Sequence, residues 1–186
     1  MDLNAAIMQL RRQAPIFGGD PITGKNGRVA GAADFAQAIE DQAWMDLPAA
    51  YVIPLDEDSD ENPPGPGLDQ HITERIGVIV ELDNTADRRG QAPAAQLHDV
   101  RTAVFAALLN WRIDPVSAAQ GLAYGGGRLL QLDRARLFFQ WEFTLHRLLT
   151  DADGWQEPTP DFAEVDVRVR DDGHLIGPEL HILLPQ

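Results

Sequence analysis

The 186-residue chain has no cysteine, which excludes a disulfide framework, a thiolate metal site and a thiol nucleophile. Lysine is nearly absent as well: Lys25 is the only one, and arginine carries the remaining positive charge. Arginine's planar, fixed donors suit contacts between protein surfaces better than a mobile solubilising coat. Serine occurs twice, Ser59 in an acidic stretch and Ser117 in PVSAAQG, and neither sits in a nucleophile elbow. No apolar run approaches membrane-spanning length, and MDLNAAIMQLRRQAP lacks the basic and apolar regions of a signal peptide. A soluble chain retained inside the cell that makes it is therefore expected, with no membrane partner. The formal net charge of -14 leaves too few clustered cations to bind a nucleic acid backbone unassisted.

What is present is pattern. Residues 124–146, YGGGRLLQLDRARLFFQWEFTLH, read as a hairpin with unequal faces. Along its second arm Leu137, Phe139, Trp141, Phe143 and Leu145 alternate with Phe138, Gln140, Glu142, Thr144 and His146. A one-residue slip would turn five large apolar side chains into water, so the register is fixed. The first arm, from Arg128 to Leu132, joins through Asp133 and Arg134, and the glycines at 125–127 are expected to permit a turn. A second strand is read in ITERIGVIVEL, where Ile72, Ile76, Val78, Val80 and Leu82 share one parity. In AAYVIPL a short strand places Tyr51, Ile53 and Leu55 together, with Pro54 marking an edge or strand end.

Helical spacing appears three times: Leu3, Ile7 and Leu10 before Pro15, Phe35 and Ile39 after Gly31, and Leu97, Val100, Val104, Leu108 and Trp111. Residues 56–67, DEDSDENPPGPG, are expected to be a solvated loop. A polar, proline-containing linker begins at Asp151, and Val165, Val167 and Val169 then alternate with charged residues before the closing LHILLP. That stripe is too narrow for an independent core. The pattern predicts an α+β fold, a mostly antiparallel sheet flanked by helices with a C-terminal β arm or hairpin, divided into a domain over 1–150 and an extension over 151–186.

Sites of chemistry are scarce. GDPITGKN, residues 19–26, nearly matches a phosphate-binding loop, but Asn26 replaces the hydroxyl that would hold magnesium. Asp56, Asp58 and Asp60 alternate as in a calcium loop, yet Glu61 stands where glycine is required and Gly67 where a bidentate glutamate is. His71, His98, His146, His174 and His181 show no metal-ligand spacing. No enzyme, metal site or cofactor is predicted.

Three segments, LPAAYVIPLDE from Leu47, ITERIGVIVEL from Ile72 and YGGGRLLQLDRARLFFQWEF from Tyr124, resemble in order and spacing the tail terminator proteins of long-tailed bacteriophages. The resemblance spans roughly residues 1–148 on structural motifs alone. It implies a non-enzymatic virion protein of the tail or neck, assembled in the host cytoplasm. Such proteins form a hexameric homo-oligomer on the end of the tail tube, stop its polymerisation and offer a joining surface to the head–tail connector or stopper. Genome DNA would pass through without specific binding. On this reading Phe138, Gln140, Glu142, Thr144 and His146 are candidates for the subunit interface. Asp56, Glu57, Asp58, Asp60 and Glu61 are candidates for an acidic channel or rim that repels DNA. Residues 151–186 and the length of the acidic segment depart from the pattern. Two other readings remain at this point: another neck or tail-completion protein of the head–tail junction, and an acidic DNA mimic that inhibits a host nuclease.

Overall fold

The computed structural model describes residues 1–40, 45–85, 91–113 and 120–157, together with the backbone of four short strand segments beyond them. The chain divides into two compact units, Met1–Asp153 and Gly154–Gln186. In the first, the described elements are α1 (Leu3–Gln13), a 3-10 turn (Pro15–Phe17), β1 (Val29–Ala30), α2 (Ala32–Glu40), β2 (Ala49–Ser59), β3 (Asp69–Asp83), α3 (Gln91–Leu108), β4 (Ala123–Leu132) and β5 (Arg136–Thr150). A 3-10 turn at Asp151–Asp153 follows β5. In the second unit, β6 (Glu164–Val167) pairs antiparallel with β9 (Leu180–Leu183), and β7 (Arg170–Asp171) pairs with β8 (His174–Leu175).

The fold is α+β. Five strands form one open sheet in the order β1-β2-β3-β5-β4, antiparallel throughout except for the two-residue pairing of β1 with β2. β3 and β5, each 15 residues long, pair in unbroken register from Asp69↔Thr150 to Asp83↔Arg136 and form the spine of the molecule. The alternation read from sequence is observed on both. Ile76, Val78, Val80, Leu82, Trp141, Phe143 and Leu145 are buried on one face, joined there by Ala50 and Val52 of β2.

That face is covered by α1 and α3. Asp2 caps α1, accepting from the amides of Asn4 at 2.9 Å and Ala5 at 3.3 Å, and Arg11 and Arg12 sit in its last turn, where the helix dipole favours cations. Ala6 and Leu10 face the core. From α3, Val100, Val104, Ala107 and Leu108 are buried, and Phe105 fits between Tyr124, Phe143 and Trp141 with ring centroids at 5.0, 5.8 and 6.1 Å.

The opposite face is only partly covered. There α2 lays Phe35 and Ala38 over Tyr51, Ile79 and Phe138. Ile39, expected beside Phe35 on the buried side, is instead 56% exposed, because Ala38 is the residue that meets the sheet.

Two further expectations are corrected. The acidic residues Asp56, Glu57 and Asp58 belong to β2 rather than to a loop: a bulge after Pro54 lets pairing resume at Glu57↔Glu74 and Asp58↔Thr73. Arg75 holds this acidic strand, donating to Asp56 at 3.1 Å and Asp58 at 2.6 Å. The glycines at 125–127 lie within β4 rather than in a turn. A bulge falls between Tyr124 and Gly126, where φ is +146°, and Gly127 opposes Trp141. A Cβ at Gly127 would meet Trp141 Cδ1 at 2.8 Å and Phe139 Cε1 at 3.0 Å, so the missing side chain is what lets the two rings lie under β4.

Candidate functional site

The tip of the β4–β5 hairpin is held by a set of local hydrogen bonds. Its turn closes through the Asp133 carboxylate, which accepts from the amides of Ala135 at 2.7 Å and Arg136 at 2.8 Å, and these bonds hold the carboxyl below its ordinary pKa. The Asn84 amide donates to the Ala135 carbonyl at 2.8 Å, and the Asn84 side chain donates to the Asp133 carbonyl, so the end of β3 clamps the tip.

Beneath the tip sits a buried polar trio. Glu81, 1% exposed, accepts from the Tyr51 hydroxyl at 2.9 Å and from Arg136 at 2.8 Å. Arg136 also donates to the Ala38 carbonyl at 3.1 Å. The trio therefore ties β2, β3, β5 and α2 together at one point. Desolvation, reinforced by the Glu81 carboxylate, pushes the Tyr51 hydroxyl well above its ordinary pKa.

The candidate interface row divides along its length. Phe138 lies under α2, its ring 6.3 Å from that of Phe35, and Gln140 is buried while donating to Glu142 at 2.9 Å. Glu142 and Thr144 are half-buried and His146 is exposed, its Nδ1 3.0 Å from Thr73 Oγ1. The side chains open to a partner on this row are thus Glu142, Thr144 and His146. Alternation did not reveal the asymmetry, because it cannot say how far α2 reaches across the sheet.

Of the acidic candidates, all five are exposed; Asp56 and Asp58 pair with Arg75, and Asp60 and Glu61 begin the turn that leads to β3. The features that sequence reasoning passed over lie on β4. Leu129, Leu130 and Leu132 are 50%, 39% and 57% exposed at the sheet's edge, and Arg128 projects beside them with its side chain 62% exposed. The three leucines were visible in the sequence, but not that β4 pairs with β5 alone and so forms the edge of the sheet.

The near-match to a phosphate loop has a different geometry. The Asp20 carboxylate takes the amides of Ile22 at 2.9 Å and Thr23 at 2.6 Å together with the Thr23 hydroxyl at 2.9 Å. Amides that would cradle a phosphate are thereby turned onto the chain's own anion. Bonds from Thr23 and Ile22 lower the Asp20 pKa. Among the described residues no group of three or more His, Asp and Glu side chains could hold a metal ion, and no helix is long and apolar enough to cross a membrane.

Comparison with known proteins gives one family: residues 1–152 match the phage tail terminator protein family. No curated protein matches the chain. Among solved structures, a chain described as "Virion of native gene transfer agent (GTA) particle" is similar at 16% identity, with 80% of this chain and 95% of that chain covered and a TM-score of 0.42.

Proposed function

Because the chain belongs to the phage tail terminator protein family, a family of virion structural proteins rather than enzymes, we propose that copies of it close into a ring on the end of a tail tube. The ring ends polymerisation of the tube and offers its other face to the head–tail connector. The observation that carries this reading is the pairing of the family match over residues 1–152 with an open sheet whose β4 edge exposes leucines in the isolated chain. A soluble monomer rarely leaves an apolar edge uncovered, and a cyclic assembly covers it without leaving a free end.

The ring is a hexamer on this reading. Within it the β5 row contributes Glu142, Thr144 and His146 to subunit contacts, with Phe138 and Gln140 packed behind them. Some of Asp56, Glu57, Asp58, Asp60 and Glu61 face the channel or its rim, where their charge keeps passing DNA from sticking. The domain over 1–150 forms the ring body, and the extension over 151–186 reaches a neighbour, the tube or the connector. A DNA mimic is less well supported, since it needs rows of unpaired carboxylates, whereas Asp56 and Asp58 are tied to Arg75.

Native mass measurement of the purified chain, alone and with tail tube ends, tests the proposal. A six-copy species supports it; twelve copies point to a connector, and a monomer or dimer under both conditions refutes it.

A further inference from the structure

The sheet has two edges that are treated differently. On the β2 side, β1 covers Ala50 and Tyr51, and beyond them the strand carries Pro54, a bulge and the exposed acids Asp56, Glu57 and Asp58. Proline, bulges and charge are the devices by which edges refuse an ordinary strand. Over its last five residues the β4 edge has no proline; it carries one bulge, at Leu129/Gln131, and a single charge, Arg128, beside the exposed Leu129, Leu130 and Leu132. One edge is guarded and acidic; the other is apolar and carries a cation.

We propose that β4 of one copy docks against the outer edge of β2 in a second copy of the same chain, head to tail around the ring. The inference rests on the ring reading and names the surfaces that close it. Charge complementarity identifies the occupant: in a chain of net charge -14, Arg128, exposed among leucines and no closer than 3.9 Å to Glu142 of its own sheet, meets its complement in the half-buried Ile53 and Leu55 beside Glu57. Because β1 occupies β2 at Ala50 and Tyr51, the incoming strand reaches β2 only beyond Tyr51, which places it beside the acids. β4 runs antiparallel to β5, β5 to β3 and β3 to β2, so β4 and β2 point opposite ways and meet as antiparallel neighbours. The two surfaces differ, and unlike surfaces generate rings rather than two-fold dimers. Pro54 lacks an N–H, so this contact depends on side chains more than a regular ladder does.

The test is a charge exchange read by native mass and analytical ultracentrifugation, with thermal melts to verify folding. Arg128→Glu is expected to raise the concentration needed for ring formation at least tenfold, and Glu57→Arg added in the same chain is expected to restore it. Rings that form equally well with Arg128→Glu, or a loss that Glu57→Arg leaves unrepaired, overturn the docking and leave the ring reading standing. Two-fold dimers joined through β4 also overturn it. Failure of the wild-type chain to form rings, with or without tube ends, refutes the ring reading itself and the docking with it.

Discussion

Replacing Glu81 by glutamine removes one charge from the trio under the hairpin while keeping its shape. Glu81 is 1% exposed and the Arg136 side chain 13% exposed, so the substitution leaves a largely buried guanidinium facing a neutral amide. Breaking a buried ion pair by removing one partner costs about 3–5 kcal/mol. The surviving bonds from Arg136 to Ala38 and to the amide oxygen argue for the lower end, about 3 kcal/mol. For a domain of this size each kcal/mol lowers Tm by about 2–4 °C, so Glu81→Gln should melt about 6–12 °C below wild type. Tyr51→Phe loses one bond to a charged acceptor and should cost about 1.5–3 kcal/mol. The triple variant Tyr51→Phe/Glu81→Met/Arg136→Met should recover most of the loss, because neither a buried charge nor the Tyr51 hydroxyl is left unpaired. Calorimetry with urea titration at neutral pH measures all three. A Glu81→Gln protein melting within about 2 °C of wild type would refute the claim that the trio is a desolvated, coupled unit.

Alkaline pH should weaken the fold through Tyr51. Its hydroxyl pKa is raised in the folded state, so the stabilisation is fully present below the ordinary tyrosine value and falls as pH climbs through and above it; Tyr51→Phe should flatten the slope of stability against pH there. Gly127→Ala should cost about 1–3 kcal/mol, since its Cβ would lie 2.8 Å from the Trp141 ring, and chemical denaturation with near-ultraviolet dichroism would register both the loss and the displaced indole. Changing Asp60 and Glu61, which lie outside the proposed docking surface, to their amides should leave ring formation intact while slowing DNA passage in a particle ejection assay; an unchanged rate would rule out a channel or rim role for these two. Removing residues 151–186 and then measuring ring formation and tail capping asks whether the extension is essential, and normal capping by the truncated chain would show that it is not.

The central strands were legible because their chemistry is periodic. In β5 the residues Leu137, Phe139, Trp141, Phe143 and Leu145 alternate without interruption, and β3 does the same from Ile76 to Leu82. β1 escaped notice because two residues carry no period. The continuation of β2 past Pro54 was hidden by its composition: carboxylates and a proline read as solvated chain, and only the partner Arg75, on another strand, reveals why they remain ordered. The glycines of β4 read as a turn because sequence records their freedom but not the rings of Phe139 and Trp141 beneath them. The trio was partly announced. Glu81 interrupts the apolar run VIVEL, and a carboxylate there demands a donor, but Tyr51 and Arg136 are 30 and 55 residues away. The exposed leucines of β4 were visible as residues and not as an edge, since exposure depends on which strand comes last in the sheet.

If this chain ends a tube by capping it with a ring, tube growth itself must stop in its presence. Tail tube subunits assembled with saturating protein, then challenged with fresh subunits and imaged by electron microscopy, test it most directly. Tubes are expected to bear a six-copy ring at one end and not to lengthen from that end. Tubes that continue to grow at the rate seen without the protein would contradict it.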